Sequence, residues 1–184
     1  MGILMKSSSE APEEAERSSI NHVHPAQTYT LWYNLKQNTG PWSDSLLEIA
    51  TGTAIEILEE LNAFGLPSSP GQPRGDLCIF RSHIVPMWED PLQIRGGRWT
   101  VDLKKPQVDI AWYRSVMAWF RAKESEWSAV TGIYLMIRGR ARIALWFADG
   151  ADTSDIKNIR NYWSEVIGSD LTSNASCNMH QPAA

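Results

Sequence analysis

The stretch GIYLMIRGRARIALWFA, residues 132–148, decides the fold, because it alternates with period two on both sides of a short basic turn. Ile133, Leu135 and Ile137 share one face of the first half, and Ile143, Leu145 and Phe147 share one face of the second. The two halves therefore read as a β-hairpin turning at RGRA. The opposite face receives Tyr134, Met136 and Arg138 from one strand and Arg142, Ala144 and Trp146 from the other. One face is apolar enough to be packed; the other mixes guanidinium groups with an indole.

The same alternation recurs outward from the hairpin. TYTLWYNL sets Tyr29, Leu31, Tyr33 and Leu35 on one face, and GRWTVDL sets Trp99, Val101 and Leu103 on one face with Arg98 opposite. Three amphipathic helices lie between such segments. The first has Thr53 and Glu56 as a capping box, carries Ile57, Leu58 and Leu61, and stops at Gly65 and Pro67. The second spans about Asp109 to Ala122, with Ile110, Tyr113, Met117 and Phe120 at helical spacing. The third opens at Asp152 or Thr153 and carries Ile156, Ile159, Trp163, Val166 and Ile167 before Gly168. Strands joined partly by hairpins and separated by single helices predict an α+β fold, one mostly antiparallel sheet with three helices on one face. The helix-free face then gathers Arg98, Arg138, Arg142 and Trp146. Taken alone, a basic hairpin tip is more often a solvated surface than a site; beside an indole, the same arginines also fit an anionic aromatic ligand, since guanidinium grips phosphate through two hydrogen bonds.

At 184 residues the chain has room for one domain, expected over residues 23–168, with a disordered Ser- and Glu-rich tail over 1–22 and a weakly ordered C-terminal segment over 169–184 that supplies one edge strand at most. A net charge of −4 excludes a surface that coats nucleic acid, while leaving room for a local basic pocket. Two cysteines, Cys78 and Cys177, are too few for a disulfide framework and fit no metal spacing. The start MGILMKSSSE lacks an apolar run for a signal or a span, and Lys6 stands where N-acylation wants Ser or Thr, so a soluble, cytoplasmic monomer is expected. No phosphate-binding glycine loop, nucleophile–base pair or metal cluster is visible, so no catalytic residue, cofactor or metal is assigned.

Nine tryptophans are the compositional outlier. Trp99, Trp112, Trp119 and Trp163 fall on helices or apolar strand faces and read as core, and Trp127 lies in a connection. Trp88 differs: Pro86 and Pro91 bracket MWED and keep it out of a regular element. Glu89, ionised, offers two acceptor oxygens in a fork, and the Watson–Crick edge of guanine offers two neighbouring donors, which adenine lacks. Packing against the flanking prolines is the competing role for Trp88. Trp42, in NTGPWSD, carries the same pair of readings.

Together, HPAQTYTLWYNL, GPW, VPMWEDPLQIRGGRW and RIALWFADG resemble, in order over residues 24–168, the eukaryotic translation initiation factor 4E family of messenger-RNA cap-binding proteins. The resemblance implies a curved sheet with helices on the convex face and the ligand on the concave face. It implies that Trp42 and Trp88 sandwich 7-methylguanine, that Glu89 takes the N1–H and 2-amino donors, and that Trp146 touches the N7 methyl group. It further implies that Arg138 and Arg142 hold the triphosphate, with Arg98 assisting and Arg140 as an extra contact. On the convex side it implies a helical scaffold or repressor peptide docked against His24, Pro25 and two helices. There the chain departs from the family: Leu58 stands in place of a Trp, and Tyr113-Arg114 in place of Leu-Glu, inverting a charge. A divergent scaffold follows, and a translational repressor shares the same pocket. An RNA-processing enzyme and a carbohydrate module are the other readings; the first lacks a motif, and the arginine cluster speaks against the second.

Overall fold

The computed structural model describes residues 27–35, 41–72, 75–137 and 139–181, with backbone alone for Trp42, Glu124 and Ser125. The expected tail over 1–22 lies outside these residues. Seven strands, β1 (Thr28–Asn34), β2 (Leu46–Thr53), β3 (Asp76–Arg81), β4 (Gly97–Leu103), β5 (Val130–Met136), β6 (Ala141–Phe147) and β7 (Ser176–Met179), form one open, curved sheet. Its order is β2-β1-β3-β5-β6-β4-β7 and every pairing is antiparallel. The hairpin expected over residues 132–148 is β5–β6, with Leu135 opposite Ile143 and Tyr134 opposite Ala144.

The three expected helices are α1 (Ala54–Phe64), α2 (Val108–Arg121) and α4 (Thr153–Ile167); two single turns, α3 (Glu124–Trp127) and α5 (Ser169–Thr172), accompany them. The start of α1 is fixed by the Thr53/Glu56 capping box, worth about 1 kcal/mol. Its end is fixed by Gly65, whose φ of 83° an L side chain resists. Asp152 caps α4 by accepting from the amides of Ser154 and Asp155. The α2 stripe is phased differently from the expectation: Trp112, Val116 and Trp119 are buried and Ile110 is 49% exposed, because the two indoles supply more apolar area than Ile110 and Met117.

Alternation splits the sheet's side chains into two clusters. Leu31, Leu77, Ile79, Val101, Ile133, Leu135, Ile143 and Leu145 pack against Ile57, Leu61, Trp112, Val116, Ile159 and Trp163 from the helices, forming the main core. On the helix-free face Cys78, Phe80, Ile84, Tyr134, Ala144 and Trp146 form a second, smaller cluster, with Trp32, Leu46 and Met136 against it. That cluster is the floor of the site. Among the described residues no helix is long and apolar enough to cross a membrane.

Two differences from the sequence reading, and one expectation met, bear on the site. Strand β3, DLCIFR, carries apolar residues on both of its buried faces and so shows no alternation; β2 is an edge strand with a bulge against Leu31 and Trp32, and its residues are exposed or half-buried. Leu35 lies past the end of β1 and is exposed. The C-terminal segment does supply the edge strand, β7, which pairs with Gly97–Thr100 of β4 and carries the chain back to the site.

Candidate functional site

A cavity of about 410 Å³ opens on the concave face, lined by Pro86, Met87, Trp88 and Glu89 on one lip, Pro41 and Ser43 on another, and Asp76, Arg98, Tyr134, Met136 and Trp146 below. Register explains the floor. Trp146 on β6 lies opposite Arg98 on β4, and Tyr134 on β5 lies opposite both Cys78 and Ala144. Trp146 is wrapped by its neighbours: Tyr134 stacks at 6.4 Å between centroids, Phe80 meets it edge-on at 5.5 Å, and the Arg98 guanidinium lies 5.3 Å from the ring centre. Its indole N–H is buried and has no hydrogen-bond partner among the described residues, so a donor waits in the floor.

The lip that carries Trp88 and Glu89 is a run of tight turns held by the residue after them. The Asp90 carboxylate accepts from the amides of Val85 and Leu92, both at 2.9 Å, and so closes the loop on both sides of Trp88. Gln93, fully buried, donates to the Val85 carbonyl at 3.4 Å and accepts from Thr131 at 2.9 Å, fastening the loop to the sheet. Arg95 and Asp149 add an ion pair at 3.1 Å. Trp88, thus anchored at its base, keeps 40% of its surface exposed, a large apolar ring presented to the cavity mouth. Glu89 beside it is also exposed.

The other predicted residues fall as follows. Trp42 begins a 3-10 turn, Trp42–Ser45, and Ser43 of that turn lines the cavity together with Pro41 just before it. Arg98 is half-buried at the floor; its burial, and after that Arg142, hold its pKa below the ordinary guanidinium value, and it remains a cation. Arg142 is exposed on the same face, opposite Asp102. Arg140 is engaged: its guanidinium pairs with Asp102 at 3.2 Å, so its role as an extra ligand contact competes with that carboxylate. Arg138, His24 and Pro25 lie outside the described residues. Leu58 packs at the edge of the main core, and Tyr113 of α2 donates to the carbonyls of Leu61 and Gly65 on and just after α1. Arg114 is exposed beside it.

Sequence reasoning missed Asp76, because β3 went unread, and His180, which follows β7. The His180 ring packs on Trp146 at 4.6 Å, and its Nδ1 lies 2.8 Å from the Gln93 carbonyl; a carbonyl only accepts, so Nδ1 carries the proton. Burial, more than any other cause, lowers the His180 pKa; the bond to Gln93 and Glu89 oppose this, and Arg98 adds to it.

Among the described residues, the long helices pack on one face of the sheet and a cavity lined by Trp88, Trp146 and Arg98 opens on the other. The family model described as Eukaryotic initiation factor 4E matches residues 26–183, and the chain belongs to that family. It is 26% identical to eukaryotic translation initiation factor 4E-1 of Arabidopsis thaliana over 161 residues, 84% of this chain and 68% of that one. To eukaryotic translation initiation factor 4E1 of Drosophila melanogaster it is 29% identical over 145 residues, 76% and 56% of the two chains. The chain thus spans roughly half to two thirds of these relatives' lengths. Among solved structures, Ascaris suum eIF4E-3 with m7G cap superposes with a TM-score of 0.74 at 24% identity, covering 87% of this chain and 93% of that one. Schistosome eIF4E complexed with m7GpppG and 4E-BP gives 0.73 at 22% identity, covering 85% and 88%. At these identities the structures establish the shared fold.

Proposed function

We propose that the concave cavity binds the 7-methylguanosine cap of messenger RNA, that the protein acts in translation initiation as a binding factor and not as an enzyme, and that its place of work is the cytoplasm. The observation that carries this reading is the placement of exposed Trp88 and Glu89 on one lip, the Trp42 turn on another, and Arg98 and Trp146 in the floor of a single cavity. Solved neighbours of the same fold hold an m7G cap or m7GpppG, which agrees with it.

Each group has a distinct physical role. Methylation at N7 makes guanine cationic, so stacking between Trp88 and Trp42 gains a charge contribution of up to about 2 kcal/mol beyond ordinary stacking. Glu89 accepts from N1–H and the 2-amino group, a charge-assisted pair that excludes adenine. Arg98, Arg138 and Arg142, with Arg140 when it leaves Asp102, neutralise the triphosphate and carry no sequence information. Titration of intrinsic tryptophan fluorescence with 7-methyl-GTP and with GTP tests the reading: the methylated nucleotide binds tighter, and equal affinities remove it.

The convex side is the docking face for a scaffold or regulatory protein in this reading, built around His24, Pro25, Leu58, Tyr113 and Arg114. One solved neighbour carries 4E-BP and another the 4E-binding protein Mextli. An arginine at the docking face favours a partner with an acidic residue at the matching position.

A further inference from the structure

Four side chains buried beneath the cavity form one continuous hydrogen-bond chain that starts in the Trp42 turn and crosses β1, β5 and β3. Ser45 Oγ donates to Asn34 Oδ1 at 2.7 Å, and Asn34 Nδ2 donates to the Tyr134 hydroxyl at 3.2 Å. The Tyr134 hydroxyl in turn donates to Asp76 Oδ2 at 3.1 Å, and the other Asp76 oxygen accepts from the Ile137 amide at 3.4 Å. Every side-chain link points the same way, from a hydroxyl to a carboxylate, so each bond polarises the next. Exposure of the four is 6%, 0%, 6% and 2% for Ser45, Asn34, Tyr134 and Asp76. Apolar residues of similar size would fill these positions without the desolvation that buried polar groups cost. The chain's ends show what it accomplishes instead. Ser45 is the last residue of the turn that begins with Trp42, and its carbonyl also accepts from the Leu35 amide at 2.9 Å. Ile137 is the last residue before the arginine-bearing tip of the β5–β6 hairpin. In the middle, the Tyr134 ring stacks on Trp146, the floor.

We propose that Ser45, Asn34, Tyr134 and Asp76 act as positioning residues, fixing the Trp42 turn and the arginine hairpin at a set distance across Trp146 so that the cavity is formed before its ligand arrives. The ligand itself, a cationic purine nucleotide, is taken from the function proposed above. The Tyr134 hydroxyl suits this role because burial, with Cys78 and Asp76 nearby, pushes its pKa far up, so it stays a donor at any working pH. A pre-formed site gains affinity because less ordering is left to be done on binding.

The test uses the full chain with Tyr134→Phe, which keeps the ring and removes the hydroxyl, and Ser45→Ala at the turn end. Amide hydrogen exchange without ligand is read first. Faster exchange of the Asp44, Leu46 and Leu35 amides in both variants, with α4 amides unchanged, is expected; unchanged exchange at those three amides overturns the proposal. Should Tyr134→Phe fail to fold, Ser45→Ala reads the same amides. Affinity for 7-methyl-GTP is read second. Tyr134→Phe weakens it by about tenfold, the worth of one buried hydrogen bond. The double variant stays close to Tyr134→Phe alone, because both act through one chain; losses that multiply overturn the proposal. A wild-type protein that ignored 7-methyl-GTP would defeat the cap reading and leave the exchange test standing on its own.

Discussion

Replacing Gly132 with alanine is expected to lower stability through the cavity floor. Gly132 sits where β5 carries an extra residue against β6, and the Phe80 ring of the neighbouring strand lies over it. A Cβ at Gly132 stands 2.5 Å from Cε1 and Cγ of that ring, and Cδ1 is nearer still. Ordinary contact begins at 3.4 Å, so the ring must retreat by about 1 Å. It has little room: Phe80 is fully buried and meets Trp146 edge-on. Overpacking of this kind costs about 1–3 kcal/mol, and for a domain of this size each kcal/mol moves the melting temperature by about 2–4 °C. Thermal unfolding followed by circular dichroism should show Gly132→Ala melting about 6 °C below wild type. In a Phe80→Leu background, where the ring is gone, the same substitution should cost less than half as much. A Gly132→Ala protein that melts with wild type, or an equal cost in both backgrounds, would refute the reasoning.

Glu89→Gln keeps the shape and removes the charge; affinity for 7-methyl-GTP should fall about tenfold, the gap between charged and neutral hydrogen bonds. Because Glu89 is exposed, the melting temperature of this variant should stay put, and wild-type affinity would contradict the assignment. His180 titrates below its ordinary 6.5 in the folded protein, while the unfolded chain takes up its proton near 6.5. The unfolded state therefore binds more protons in the window between the two values, so stability is full above 6.5 and declines as pH falls through that window. Melting curves across this range should show a smaller decline for His180→Phe than for wild type; parallel declines would clear His180. On the convex side, Arg114→Glu should raise capture of a scaffold peptide that binds other family members, and equal capture by both proteins in a pull-down would remove Arg114 from the docking face.

Where a strand has one face packed on helices and the other on polar or aromatic groups, its alternation is readable, and β1, β4, β5 and β6 show their faces in the sequence. That is why Arg98 and Trp146 fall on one surface by phase alone. Strand β3 hides because apolar side chains occupy both of its faces, Leu77 and Ile79 on one and Cys78 and Phe80 on the other, and with it goes Asp76, whose strand neighbour Asn34 and hydrogen-bond partner Tyr134 are 42 and 58 residues away in sequence. Such a chain of polar contacts has no local signature. Asp90 is legible only as part of a motif; its work of closing the Trp88 loop is backbone hydrogen bonding, which no side-chain pattern announces. The α2 stripe is misphased in the sequence reading because apolar residues occupy more than one face of that helix, and only packing decides which is buried. His180 reaches the site through β7 pairing, a contact made 87 residues from its partner Gln93.

The most direct measurement is a fluorescence titration of the full chain with 7-methyl-GTP and GTP in the same buffer. A charge on the base is worth up to about 2 kcal/mol between two indoles, so the methylated nucleotide should bind up to about thirtyfold tighter. Equal dissociation constants would contradict the account at its centre.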